Sequence, residues 1–208
     1  SARLDLAIAL YKTDGPGEAL RFLEKLPVSE LTGDALLMKA DFLHALGRSV
    51  EAEEALNRGL RKAPGQPRVV ERAVLLLVRL DRAADALPLL EEAIPRNLEE
   101  PALPLLKAIV LGMLDRFSES EQTLREIELE WPEWDRTYLA HALLLEMAGK
   151  PDAARQRIAT AAALGSLDPS LACAQHRLAA APKPAADCAC APGLEQLLFP
   201  RCAAPDGR

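Results

Sequence analysis

The chain is poor in the residues that build β-sheets. Of its 208 residues only 17 are Val, Ile or Thr, and only eight are Phe, Trp or Tyr. Strands favour β-branched and aromatic side chains, so this scarcity excludes a protein built mainly of β-sheet. Ala and Leu, which lose little side-chain freedom in a helix, supply 37 and 39 residues instead. The composition therefore predicts an all-α fold with enough apolar residues for a folded core.

Two further absences limit the functions open to the chain. No apolar run approaches the roughly 20 residues that a membrane-spanning helix needs, because Arg, Asp or Glu interrupts each one. The net charge is −6 and the basic residues are scattered, which argues against a nucleic-acid-binding surface. We therefore expect neither insertion into a membrane nor binding to nucleic acid.

Motifs of catalysis are also absent. The sequence has no phosphate-binding Gly loop, no His-Glu-x-x-His helix and no Gly-x-Ser-x-Gly elbow. Its three His residues are far apart in sequence, and solvated helix faces explain its acidic clusters better than paired catalytic carboxylates do. We expect that residues 1–166 are not an enzyme and that they bind no cofactor or metal.

What the chain does contain is an internal repeat of 33 to 34 residues. Five segments align so that a small residue is followed four positions later by a branched aliphatic residue. The small residues are Ala19, Ala52, Ala86, Ser120 and Ala154, and the aliphatic residues are Leu23, Leu56, Leu90, Leu124 and Ile158. A second series upstream consists of Ala7, Ala40, Val74, Ala108 and Ala142. Residues four positions apart lie on one face of a helix, so each aligned segment is predicted to be helical. Together with the upstream series, this predicts two helices in each repeat.

A turn former separates the two helical stretches of each repeat. These turn formers are Asp14-Gly15, Gly47, Asp81, Asp115 and Gly149-Lys150-Pro151. Small residues in both stretches allow the two helices to cross closely, and the large aliphatic residues fill the space beside them. Each repeat is therefore predicted to be a helix-turn-helix unit.

With this period and these positions, the chain resembles the tetratricopeptide repeat (TPR) family over residues 1–166. The resemblance implies five repeats stacked as an α-solenoid, a right-handed superhelix of antiparallel helix pairs. We expect a capping helix in residues 167–181, with Asp168 as its N-cap and Pro169 at its first helical position. Residues 182–208, which are rich in Pro and Cys, are predicted to form an irregular tail.

The resemblance also implies a protein–protein interaction scaffold, because TPR arrays bind a peptide or helix of a partner protein in the concave groove lined by their first helices. Projected onto this sequence, that groove consists of Ile8, Tyr11, Leu37, Asp41, His44, Glu71, Leu75, Arg79, Leu105, Ile109, Met113, Leu139, Leu143 and Met147. The same projected face includes Leu4, Asp34 and Arg68. Each of these side chains could instead simply pack between neighbouring first helices.

A second function remains open at this point. The sequence begins at Ser1 rather than Met, which suggests a mature chain or a piece of a longer protein. The alternative is therefore the substrate-recruiting or assembly region of a larger enzyme, or of a secretion or envelope machine, whose catalytic domain lies outside this chain.

All four cysteines lie in the last 36 residues: Cys173, Cys188, Cys190 and Cys202. They allow two disulfides in three connectivities, which would indicate an extracytoplasmic or periplasmic location; without disulfides we expect the cytoplasm. Free thiols, or zinc held by Cys173, His176 and the later cysteines, are alternatives, although Cys-x-Cys lacks the usual zinc-ligand spacing. Between these cysteines, the apolar segment 193–200 is predicted to dock onto the last repeat or the cap through Leu194 to Phe199.

Overall fold

Helices account for all the long regular elements of the described residues. The computed structural model describes residues 2–178, apart from the side chains of Val28, Pro169 and His176. Within that range the chain has 11 α-helices and no β-strand, which confirms the predicted all-α fold. The helices are α1 (Ala2–Asp14), α2 (Pro16–Glu24), α3 (Gly33–Ala45), α4 (Ser49–Lys62), α5 (Pro67–Arg79), α6 (Ala83–Ala93), α7 (Ala102–Met113), α8 (Phe117–Glu130), α9 (Asp135–Met147), α10 (Pro151–Ala163) and α11 (Pro169–Arg177). Short 3-10 turns cover Val28–Glu30 and Ile94–Arg96.

The chain divides into two compact units, Ser1–Asn97 and Leu98–Arg208, which we call unit 1 and unit 2. In unit 1, α1 pairs with α2, α3 with α4 and α5 with α6, and α3 also packs against α2 and α5. In unit 2, α7 pairs with α8 and α9 with α10, and α9 packs against α7, α8 and α11. Each unit is therefore built from successive helix pairs, as the repeat predicts.

The repeated small residues lie buried within these pairs. Each of the following is at most 1% exposed: Ala7, Ala19, Ala40, Ala52, Val74, Ala86, Ala108, Ser120, Ala142 and Ala154. In the α7–α8 pair the Ser120 hydroxyl donates a hydrogen bond to the Ala108 carbonyl oxygen at 2.8 Å, so this polar side chain is satisfied inside the core. The alignment read from the sequence is therefore also the alignment of the packed helices.

A residue in the left-handed backbone region closes the turn of each helix pair. These residues are Gly15, Gly47, Asp81, Asp115 and Gly149, with φ between +59° and +86°. Glycine reaches this region without a steric penalty, and Asp tolerates it better than most side chains. All five were predicted as turn formers, so the helix boundaries in the middle of each repeat follow from local backbone chemistry.

The capping helix α11 packs against α9 and α10. A carboxylate oxygen of Asp168 accepts a hydrogen bond from the Ser170 N–H at 2.9 Å, which fits the predicted N-cap. Two nitrogens of Arg177 bind the two carboxylate oxygens of Glu146 at 2.8 and 2.9 Å and so connect α11 to α9. Within the described residues α11 runs to Arg177, and residues 179–208 lie outside the described part of the chain, so the predicted end of the cap near residue 181 stays a prediction.

Candidate protein-binding site

The first helices of the three pairs in unit 1, which are α1, α3 and α5, line an open pocket of about 360 Å³. We call it the first-helix pocket. Its lining residues are Leu4, Asp5 and Ile8 from α1, Asp34, Met38 and Asp41 from α3, and Arg68, Glu71, Arg72, Leu75 and Arg79 from α5. The repeat brings equivalent faces of α1, α3 and α5 to the same pocket. Four of the lining side chains are apolar and seven are charged, so the surface is amphipathic.

A network of ion pairs joins α3 to α5 in this pocket. The Arg72 Nε lies 2.9 Å from a carboxylate oxygen of Asp34, and the Arg72 Nη1 lies 3.3 Å from a carboxylate oxygen of Asp41. The other Asp41 oxygen pairs with Arg79. Asp41 is therefore bound by two guanidinium groups, which fixes the positions of all three side chains before any ligand arrives.

Burial raises the pKa of the Asp41 carboxyl above its usual range, and Arg79 and Arg72 only partly offset this effect. The site as a whole therefore disfavours the charged form of Asp41. The two arginines do not fully replace the water that the carboxylate loses on folding.

Other charged groups of the pocket have no such partner. Among the described residues, Asp5, Arg68 and Glu71 form no ion pair, although all three line the pocket. Ile8 is exposed beside them, and Leu75 is half-buried. The pocket thus presents apolar surface next to unpaired charges of both signs.

Five of the predicted groove residues line this pocket: Ile8, Asp41, Glu71, Leu75 and Arg79. Tyr11 is exposed on α1, where its ring stacks on that of Phe42 with the centroids 5.1 Å apart. Leu37 is fully buried, and His44 is half-buried. The structure therefore brings most of the predicted residues of unit 1 to one site.

The predicted groove residues of unit 2 lie mostly in its core. Leu105, Ile109, Leu139 and Leu143 are at most 3% exposed. Met113 and Met147 are partly buried and pack against the same cluster. A role for these six residues in partner binding stays a prediction.

The lining residues that the sequence projection missed are Asp5, Met38 and Arg72. A signal for Arg72 is present in the sequence. Asp34 and Asp41 lie seven positions apart in α3, Arg72 and Arg79 lie seven positions apart in α5, and the acid–base pairs both span 38 residues. Seven positions are two helical turns, so matching charges on successive first helices indicate a ladder of ion pairs.

Unit 2 contains a buried charged cluster of its own. His141 is 2% exposed, and its Nδ1 lies 2.6 Å from a carboxylate oxygen of Glu128. Arg157 approaches the other Glu128 oxygen at 3.3 Å. The adjacent cavity holds only about 10 Å³, which is no more than a single water needs. We interpret this cluster as a connection between α8, α9 and α10 rather than a ligand site.

The predicted cysteine site falls largely outside the described residues. Cys173 is buried in α11, whereas Cys188, Cys190, Cys202 and the segment 193–200 lie beyond residue 178. The disulfide, zinc and tail-docking hypotheses therefore stay predictions.

The described residues contain neither a metal site nor a membrane-spanning helix. Within residues 2–178, no group of three or more His, Cys, Asp and Glu side chains is arranged to hold a metal ion. No helix in that range is both long and apolar enough to cross a membrane.

Comparison with known proteins identifies the repeat. Residues 33–58, which cover α3 and most of α4, match the tetratricopeptide repeat family. A search of curated proteins finds no match. Among solved structures, a tetratricopeptide repeat protein from Parabacteroides merdae superimposes with a TM-score of 0.70 at 20% identity, over 85% of this chain and 69% of its own.

Two further solved structures share the fold. PilW, a widely conserved type IV pilus biogenesis factor, gives a TM-score of 0.67 at 18% identity, over 85% of this chain and 83% of its own. YrrB, a TPR protein with an unusual peptide-binding site, gives 0.56 at 17% identity, over 84% of this chain and 89% of its own. The class of protein defined here is an all-α solenoid of helix pairs. The helix pairs have the fold of tetratricopeptide repeat proteins, and residues 33–58 match that family, as the repeat predicts.

Proposed function

We propose that this chain is a protein–protein interaction scaffold and that its first-helix pocket binds an amphipathic peptide or helix of a partner protein. The observation that carries the proposal is the combination of exposed apolar surface and unpaired charge in one pocket of unit 1. The TPR fold supports a scaffold role in general. YrrB, which has the same fold, has a peptide-binding site.

The chemistry of the pocket defines the ligand that it would accept. Apolar side chains of the partner would cover Ile8 and Leu75, and removing that surface from water would supply most of the binding free energy. A basic side chain flanking them would reach Glu71 or Asp5, and an acidic one would reach Arg68. Such charges mainly set the orientation and the specificity of the bound segment.

The test uses peptides selected from a random library on the intact chain. We expect the double substitution Ile8→Asp and Leu75→Asp to weaken binding of the selected peptides at least about tenfold, or about 1.4 kcal/mol, because carboxylates replace both apolar contacts. Affinities would be measured by isothermal titration calorimetry, and circular dichroism would verify that the variant remains helical.

A matched control carries the same chemical change elsewhere. Leu129 and Leu167 are 84% and 95% exposed and do not line the pocket, so Leu129→Asp with Leu167→Asp should leave peptide affinity unchanged. If the helical pocket variant binds the selected peptides as tightly as the control does, the first-helix pocket is not the binding site.

A further inference from the structure

A second open pocket of unit 1 has a different chemistry. It has a volume of about 350 Å³, shares no residue with the first-helix pocket, and is lined by Leu31, Leu36, Arg58, Arg61 and Lys62. Every polar side chain in its lining is cationic, and we call it the basic pocket. Such a concentration of positive charge is unusual on a chain whose net charge is −6.

No carboxylate compensates these cations among the described residues. Most arginines of unit 1 form an ion pair, as Arg48 does with Glu51 at 2.6 Å. Arg58 and Arg61 form none within residues 2–178, and the Lys62 ammonium donates a hydrogen bond to the Leu31 carbonyl oxygen. Three positive charges are thus held around one pocket without an acidic partner.

The three cations also lie on one face of α4. Arg58, Arg61 and Lys62 occupy positions i, i+3 and i+4, where like charges repel and destabilise a helix. Attraction to the carboxyl end of the helix dipole explains why Arg61 and Lys62 tolerate this repulsion, because both lie in the last turn of α4. It accounts less well for Arg58, which lies a turn earlier. A bound anion would relieve the repulsion among all three.

An apolar cavity adjoins the basic pocket through Arg61, which lines both. The cavity holds about 240 Å³, and its other lining residues are Leu60, Pro64, Gly65, Val70, Leu89 and Glu92. Its one carboxylate, on Glu92, already pairs with Arg96 at 2.7 Å. A ligand that neutralises the basic pocket can therefore place an apolar side chain in this cavity.

We propose that the basic pocket binds an oxyanion on a peptide segment of a partner protein, followed by an apolar side chain that enters the adjoining cavity. The oxyanion is a phosphorylated side chain or a carboxylate, since both accept paired hydrogen bonds from guanidinium groups. The apolar cavity favours a peptide over a free anion, because a free anion has nothing to place there.

The test titrates the intact chain with three peptides of sequence Gly-X-Leu-Leu-Gly, where X is phosphoserine, glutamate or serine. The peptides are acetylated at the N-terminus and amidated at the C-terminus, so that the serine peptide carries no oxyanion. We expect saturable NMR shifts of the Arg58 and Arg61 side chains with the phosphoserine peptide, the glutamate peptide or both, and at least about tenfold weaker binding of the serine peptide. Binding of phosphoserine alone would identify a phosphate site, and equal binding of glutamate would identify a general oxyanion site. Equal affinity for all three peptides, or no saturable shift with any, would overturn the proposal.

Charge-matched variants distinguish specific binding in the basic pocket from general electrostatic attraction to the protein surface. Arg58→Gln with Arg61→Gln should weaken the anionic peptides about tenfold or more, whereas Arg21→Gln with Lys25→Gln, which removes the same charge outside the pocket, should not. An equal loss in both would show that the effect is unspecific. Binding to phosphatidylglycerol vesicles without binding of any peptide would also refute the proposal. The Ile8→Asp and Leu75→Asp variant should still bind the anionic peptides, because the two pockets are separate.

Discussion

The Asp41 carboxyl lies in a place that little water reaches. Because burial raises its pKa, the folded protein holds a proton on this group more tightly than the unfolded chain does. Its contribution to stability is therefore full below the pKa of the unfolded chain and is lost as pH rises through the higher pKa of the folded state. The exposed Glu51 behaves in the opposite way, because its hydrogen bond from Arg48 lowers its pKa.

We expect Asp41→Asn and Glu51→Gln to show opposite pH dependences. As pH rises from about 4 to about 7, the free energy of unfolding of the unmodified protein should fall relative to Asp41→Asn and rise relative to Glu51→Gln. Urea unfolding at several pH values measures both differences. A difference that moves in the same direction for the two variants would show that burial does not dominate at Asp41.

At the scale of secondary-structure elements, the α3–α4 pair crosses at two glycines. A Cβ at Gly59 would lie 2.7 Å from the Leu37 Cδ2 and 3.1 Å from the Gly33 carbonyl oxygen. Leu37 is fully buried and has little space in which to move. Gly59 has a poor helix propensity, but its lack of a side chain allows the two helices to approach closely.

The substitution Gly59→Ala should lower the free energy of unfolding by about 1–3 kcal/mol, because overpacking outweighs the gain in helix propensity. The control is Gly17→Ala in α2, where a Cβ would meet no atom within 4 Å. That change should raise stability by about 0.4–1 kcal/mol, because Ala leaves the unfolded chain fewer conformations than Gly does. Chemical denaturation measures both, and a stabilised Gly59→Ala variant would contradict the close crossing.

Helix pairs and turns could be predicted from the sequence because they depend on local chemistry. Gly47 and Asp81 end helices through their own backbone preferences. A small residue at the position of Ala52 marks the helix crossing in every repeat. The exposure of first-helix residues is not local. Leu37 and Leu139 fall on the projected groove face, yet both are fully buried, because a first helix packs against its partner and also against neighbouring first helices.

At the scale of the whole molecule, the repeat gives no sign of the division into two units. The spacing from Ala86 to Ser120 is 34 residues, the same as in the repeats on either side, yet the units divide between Asn97 and Leu98. A constant period predicts where helices lie along the chain. It does not report how many contacts connect one repeat to the next.

The capping helix should contribute measurably to the stability of unit 2. A chain ending at residue 178 retains α11, with buried Ala174 and Leu178 and the ion pair between Arg177 and Glu146, whereas a chain ending at residue 166 loses all of these. We expect the shorter chain to be less stable by on the order of 2 kcal/mol or more, because apolar surface on α9 and α10 becomes exposed. Thermal melting of the two truncated chains measures the effect. Equal melting temperatures would show that α11 is dispensable.

The order in which the helices pack determines how the protein can fold during its synthesis. Within each unit, the helices that pack together most extensively are adjacent in the chain or separated by a single helix. Contacts of such low contact order form quickly, since little loop entropy is lost in closing them. The α1–α2 pair can therefore assemble while the rest of the chain is still being synthesised on the ribosome, and within each unit a later pair can add to the pair that precedes it.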